Sequence, residues 1–198
     1  MLTSKLKNYI FKNPVLVASG TYGYGHEVSD IVDVESLGGI ITKSVTLEPR
    51  EGNEPPRIFE TPSGMLNSIG LANLGVDRFC SEKIHYLNNL NTNVIINIAG
   101  SSIDDYIRTL EIIESSNCKH IGYEINISCP NVKKGGMEFG VDPKTTQLLT
   151  AQIRSRTDKL LIMKLSPNVT KISDIALACE EGGADAVSAI NTVVGMGI

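Results

Sequence analysis

The chain has 198 residues, of which 41% are hydrophobic, so a single globular domain with a core of ordinary size is expected. A formal net charge of -4 argues against a nucleic-acid-binding protein, which usually carries a basic face. The sequence contains no apolar run of membrane-spanning length and no secretory signal at its N-terminus, so we expect a cytoplasmic protein that needs no membrane.

Short β-branched runs alternate with helical segments along the chain. The runs predict six strands, at 14–20, 39–46, 93–100, 120–128, 159–167 and 185–192. Helical spacing and helix-start residues predict helices over 101–116, 142–157 and 172–184. Strands that alternate with helices indicate an α/β fold, in which parallel strands are joined by right-handed crossovers.

Two α/β architectures compete, an open doubly wound sheet and a (β/α)8 TIM barrel. The glycines of "SGTYGYGHE" do not have the dinucleotide-binding spacing that a doubly wound sheet often shows after its first strand. Polar residues, two of them lysines, lie at the C-terminal ends of nearly every predicted strand, and in a barrel such ends converge on one active site. These residues are Ser19, Lys43, Asn97, Asn126, Lys164 and Asn191. We therefore predict a TIM barrel, in one domain over residues 1–198, truncated after about six of its eight β/α units.

Four cysteines occur, none of them at metal-binding spacing, so no metal site is expected. Cys80, Cys118 and Cys179 are interpreted as buried, inert free thiols. Cys129 differs because it follows the fourth predicted strand in "INISCPN", where its thiol would face the common site. With no histidine nearby in the sequence, Cys129 is better suited to act alone as a general base than as half of a cysteine–histidine pair.

Two further features indicate a polar ligand. The segment "NSIGLANLG" at 67–75 offers amide side chains that could hold a planar ring with carbonyl and N–H groups. Lys43 and Lys164 end apolar strands, where a lysine could pair with an anionic ligand or an electron-rich cofactor ring, or form a Schiff base.

Six motifs together resemble those of the class 1 dihydroorotate dehydrogenases. They are "NPVLVASGTYGYG", "ITKSVTLEPREGNEPPR", "ETPSGMLNSIGLANLG", "INISCPN", "IMKLSPN" and "AINTVVGMGI". The "ETPSGMLNSIGL" segment is more similar to the B type, which works with an electron-transfer subunit, than to the A type. Ala72, Leu74 and Ser44 depart from the residues that are more usual in the family.

The resemblance implies an FMN-dependent barrel that oxidises dihydroorotate to orotate in pyrimidine biosynthesis, with Cys129 as the catalytic base. It implies contacts with substrate for Lys43, Asn67, Leu71, Asn126, Asn131, Asn191 and Thr192. It implies contacts with FMN for Ser19, Lys43, Ser44, Asn97, Asn126, Lys164 and Ile190. A homodimer, and for the B type a subunit carrying FAD and an iron–sulfur cluster, are the implied partners.

Three alternatives remain open at this point. The chain could be a related FMN barrel acting on another dihydropyrimidine, or an aldolase that uses Lys164 as its Schiff base. It could also be an inactive fragment that binds an intact subunit.

Overall fold

The computed structural model describes residues 2–128 and 139–196. An antiparallel hairpin, β1 (Ser4–Leu6) and β2 (Tyr9–Phe11), precedes the main sheet, and a second hairpin is inserted after its second strand. In chain order, the elements after the first hairpin are β3 (Leu16–Val17), β4 (Gly39–Ile41), β5 (Ile58–Thr61), β6 (Gly64–Asn67), α1 (Val76–Glu82), α2 (Ile84–Asn89), β7 (Asn93–Ile98), α3 (Ile103–Ser115), β8 (Gly122–Asn126), α4 (Pro143–Arg154), β9 (Leu160–Lys164), α5 (Ile172–Glu181) and β10 (Ala186–Ser188).

The main sheet has six parallel strands in the order β3-β4-β7-β8-β9-β10, which is also their order along the chain. A doubly wound sheet reverses its strand order at a switch point, whereas a barrel adds each strand beside the last. Because right-handed crossovers then place every helix on the same face, the fold is that of part of a TIM barrel. The predicted α/β fold class is confirmed.

The two faces of the sheet carry different cores. Alternate strand residues such as Ile96, Tyr123 and Met163 pack with the helices in a large cluster. Residues of the opposite parity, including Ile95 and Ile162, form a smaller cluster on the other face, which becomes the inside of a barrel. Phe11 of the first hairpin joins this inner cluster, so the hairpin covers the end of the sheet at which the strands begin.

Two of the three predicted helices begin where their capping residues indicated. Ser102 and Asp105 form a capping box at the start of α3, with each side chain accepting a hydrogen bond from the other residue's backbone N–H. Asp142 caps α4, whose first residue is Pro143. No helix within 2–128 and 139–196 is long and apolar enough to cross a membrane.

Several predicted boundaries were wrong. The strands predicted over 14–20 and 39–46 are shorter, ending at Val17 and Ile41. No strand was predicted between 46 and 93, but this region contains the β5–β6 hairpin. Cys80 and Cys118 are half-buried rather than buried, and only Cys179 is fully buried, although all three thiols are free.

Candidate functional site at the strand tips

The chain just beyond the end of β4 contains a β-bulge that redirects its side chains. Ile41 pairs with Ile95 and Val45 bridges Ile98, so this segment has one more residue than β7 over the same interval. Regular strand alternation would place Ile41 and Val45 on the same face of the sheet. Instead, Ile41 packs in the smaller inner cluster and Val45 packs in the large cluster against the helices. The bulge allows the Ser44 hydroxyl to donate to Asn97 Oδ1 at 2.5 Å.

Glu124, in the middle of β8, connects the tips of the neighbouring strands. Its side chain is 2% exposed, and its carboxylate accepts from Asn97 Nδ2 at 2.6 Å and from the Ser188 hydroxyl at 2.7 Å. The Lys164 ammonium lies 3.9 Å from the same carboxylate. A buried charge is costly without such partners, and here they come from β7, β9 and β10.

A second set of hydrogen bonds surrounds Asn126 at the end of β8. Asn191 Nδ2 and the Ser128 backbone N–H both donate to Asn126 Oδ1, at 3.0 and 3.2 Å. The Tyr106 hydroxyl donates to the Asn126 carbonyl at 2.8 Å from behind the sheet. These contacts hold the Asn126 carboxamide in one orientation. The strand-tip cluster thus consists of Ser44, Asn97, Glu124, Asn126, Lys164, Ser188 and Asn191.

The two predicted lysines differ in their surroundings. Lys164 is 12% exposed and has only the distant Glu124 carboxylate as an ion-pair partner among the described residues. Lys43 is half-buried beside Ser44, and no described residue offers its ammonium a hydrogen bond or an ion pair. Buried or half-buried lysines with unused N–H groups are suited to binding an anion.

The structure brings together most, but not all, of the residues that the sequence singled out. Five of them are members of the strand-tip cluster: Ser44, Asn97, Asn126, Lys164 and Asn191. Lys43, Ile190 and Thr192 are chain neighbours of members, and Ser19 follows β3 at the same end of the sheet. Cys129 and Asn131 lie outside the described residues.

Asn67 and Leu71 lie at the end of the β5–β6 hairpin and in the loop after it, with no described hydrogen bond to the cluster. This loop is nevertheless firmly held. Leu71 adopts a left-handed backbone conformation with φ of 59°, which is strained for a leucine. Asn53 Nδ2 donates to the Ser68 carbonyl at 2.9 Å. Strained, well-anchored loops are common at ligand sites, although the strain by itself does not identify a ligand.

Glu124 and Ser188 are the two members of the cluster that the sequence did not single out, and Glu124 connects the other strand tips. The signal was available, since a glutamate interrupts the apolar run of "HIGYEINIS". A charge within a strand buried on both faces requires partners, so its presence alone could have predicted the network.

The fold is that of part of a β/α barrel, and its strand-tip cluster carries amide and lysine side chains of the kind that suit a planar, anionic ligand. Amides can pair with carbonyl and N–H groups of such a ring, and the lysines can pair with its charge. The sequence profile of the dihydroorotate dehydrogenase family matches residues 1–198. The chain belongs to this family.

Relatives of known name are similar over nearly the whole chain. The catalytic subunit of dihydroorotate dehydrogenase B (NAD(+)) from Bacteroides thetaiotaomicron is 54% identical over 94% of this chain and 61% of its own length. The subunit of the same name from Geotalea daltonii is 48% identical over 100% of this chain and 64% of its own length. The chain therefore spans somewhat less than two thirds of the length of these relatives.

Proposed function

We propose that the protein is the catalytic subunit of a B-type dihydroorotate dehydrogenase, oxidising dihydroorotate to orotate with FMN. The observation that carries the proposal is the strand-tip cluster, which gathers five residues of the family motifs at one edge of the sheet through two sets of hydrogen bonds and one ion pair. The printed names of the relatives, at about half identity, support the same activity.

The residues present fit a flavin and a pyrimidine ring. Asn97 and Asn126 are buried amides, and Lys164 supplies N–H donors that no described residue uses. We assign Ser19, Ser44, Asn97, Lys164 and Ile190 to FMN, and Lys43 and Asn126 to both FMN and substrate. Asn67, Leu71, Asn131, Asn191 and Thr192 are assigned to substrate.

Cys129 is proposed as the general base. It is the residue after Ser128 and the third residue beyond Asn126, at which β8 ends. Its thiolate would take a proton from one ring carbon of dihydroorotate. FMN, when bound, accepts the hydride that leaves the neighbouring carbon. Amides and lysines at the strand tips would hold the ring in the orientation that both transfers need.

We further propose that two additional β/α units close the barrel in the complete protein. The sheet is open between β3 and β10, and apolar side chains are exposed in β10, with Val187 at 44%, and in the chain that follows it, with Val194 at 80%. An unpaired apolar edge is an aggregation hazard that closure removes. A homodimer in the cytoplasm and an electron-transfer subunit with FAD and an iron–sulfur cluster complete the proposal. The words "catalytic subunit" in the names of the relatives support a partner.

The Schiff-base alternative has no support from the comparisons, because the family profile and the named relatives are those of dihydroorotate dehydrogenases and not of aldolases. An aldolase of that kind forms a covalent imine between its lysine and the substrate. Borohydride trapping with a sugar phosphate should therefore leave the mass of the protein unchanged.

The experiment is an anaerobic flavin spectrum of the purified protein, recorded for this chain and for a version extended by the two proposed units. We expect the extended protein to be yellow and to lose its flavin absorbance when dihydroorotate is added. Binding of FMN without bleaching by dihydroorotate would favour a relative with another dihydropyrimidine substrate. Failure of the extended protein to bind FMN would contradict the proposal.

A further inference from the structure

Glu124 is the only buried carboxylate in the parts of the chain that the structure describes. Stability alone is a weak explanation for it, because replacing a buried ion pair by apolar residues is often neutral or stabilising. Its three partners instead come from three different strands and lie at the strand tips. Two of these partners, Asn97 and Lys164, are among the residues that we assign to FMN.

The carboxylate determines which way the Asn97 side chain points. An ionised carboxylate can only accept hydrogen bonds, so the Asn97 NH2 group must face Glu124, at 2.6 Å. The Asn97 carbonyl oxygen then faces the Ser44 hydroxyl, which donates to it at 2.5 Å. Without an acceptor at this position, the amide would lose the contact that selects this orientation.

The carboxylate acts differently on Lys164. A separation of 3.9 Å is too long for a hydrogen bond but short enough for a strong charge interaction at a buried site. Glu124 therefore balances the charge of Lys164 without occupying its N–H groups. No carboxylate of a described residue lies close enough to Lys43 to balance its charge. The two lysines and Glu124 together therefore leave one net positive charge at the strand tips.

We propose that Glu124 is a positioning residue that orients the Asn97 amide and tunes the charge that Lys164 presents to a bound flavin. The inference rests on the proposed function, because it assigns the flavin to these strand tips. Removing the negative charge should favour the reduced, more electron-rich flavin over the oxidised one. The readout is the ratio of the affinities for reduced and oxidised FMN, which sets the midpoint potential of the bound flavin.

The test compares Glu124→Gln with Glu124→Asp and a matched control in the extended, flavin-binding protein. Glu124→Gln keeps the shape and removes the charge, and we expect it to change the affinity ratio at least tenfold in favour of reduced FMN. Tenfold corresponds to about 30 mV for a two-electron couple. Glu124→Asp keeps the charge and should change the ratio by less than about threefold, on Coulomb grounds.

The control is Glu114→Gln, which removes a half-buried carboxylate that pairs with Lys159 and accepts from Thr157, away from the strand tips. It should leave the ratio unchanged. A Glu124→Gln protein that matches this control, or one that cannot fold, would make Glu124 a structural residue and overturn the inference alone. A wild-type protein that binds no flavin would overturn the proposed function and the inference together.

Discussion

At the scale of single residues, the site depends on where polar atoms are left without a protein partner. Many polar groups of the described residues are satisfied locally, as in the bonds that the half-buried Asn73 accepts from the Thr46 and Gly75 backbone N–H groups. The ammonium groups of Lys43 and Lys164 are different, because no described residue accepts a hydrogen bond from either. Unused donors at converging strand tips are the strongest local indication of a ligand.

Replacing the proposed base gives the sharpest prediction at this scale. Cys129→Ser should retain flavin but slow its reduction by dihydroorotate at neutral pH by at least about a hundredfold, because a hydroxyl is a far weaker base than a thiolate. Rapid-mixing absorbance measurements of the bound flavin would follow the rate. Cys179→Ser, which changes a buried thiol in α5, should reduce its flavin at the wild-type rate. Equal rates in all three proteins would exclude Cys129 from the mechanism.

The sequence predicted these residues because of a general property of parallel sheets. The ends of adjacent parallel strands meet at one edge, so polar residues that end several strands are brought together whatever their separation along the chain. Asn97, Asn126 and Lys164 could therefore be predicted as neighbours. The contact between Ser44 and Asn97 could not, since it depends on a bulge that no residue pattern indicates.

At the scale of elements, Tyr123 of β8 and His120, two residues before the strand begins, form a buried polar pair on the outer side of the sheet. The rings of His120 and Tyr123 pack edge to face with their centroids 4.7 Å apart, and His120 is 5% exposed. Burial, assisted by the charge of Lys159, lowers the pKa of His120 to about 4. The folded protein therefore holds this imidazole neutral over a range in which the unfolded chain takes up a proton.

This difference predicts an acid-sensitive stability. The contribution of the neutral His120 to the free energy of unfolding is fully present above the ordinary histidine pKa near 6.5. It is lost as the pH falls towards about 4, because the unfolded chain binds a proton there and the folded protein does not. Linkage over that interval amounts to about 3 kcal/mol of the free energy of unfolding. His120→Phe should flatten this part of the profile, as measured by urea unfolding between pH 7 and pH 4.

His85→Asn is the matched control, since His85 is exposed on α2. It should keep the wild-type pH profile. A His120→Phe protein with the same acid dependence as the wild type would show that another group is responsible.

The elements themselves were predictable to different degrees. Long apolar runs such as "NVIINIAG" and "KLLIMKLSP" correctly indicated buried strands, because parallel strands are covered on both faces. The β1–β2 and β5–β6 hairpins were missed, since their strands are three or four residues long and partly exposed. Helices α1 and α2 were missed too, and both lack a side-chain cap.

At the scale of the whole molecule, Asp185 ties the two ends of the described chain together. Its carboxylate accepts from Lys7 Nζ at 3.1 Å, from Arg154 Nη1 at 3.0 Å and from the Leu161 backbone N–H at 2.9 Å. Burial alone would raise the pKa of Asp185, but these hydrogen bonds and charges together lower it. The first hairpin is thereby linked to α4, β9 and the start of β10.

Asp185→Asn should lower the free energy of unfolding at neutral pH by about 1–3 kcal/mol, the usual effect of losing hydrogen bonds to a charged group. The depressed pKa means that the wild-type carboxylate contributes stability above pH 4 or so and loses it on further acidification. The difference between the two proteins should therefore shrink below about pH 4. Asp30→Asn, at an exposed position, should show no such difference in the same urea titrations. A constant difference at all pH values would contradict the charge-based explanation.

The account as a whole depends on one arrangement: strand tips that gather around a flavin and a substrate ring. A crystal structure of the extended protein with FMN and orotate tests this most directly. We predict that the flavin ring lies within hydrogen-bonding distance of Lys164, with orotate held by Asn126 and Asn191 and faced by the Cys129 sulfur. Ligands bound elsewhere on the protein, or a Cys129 sulfur directed away from orotate, would contradict the account.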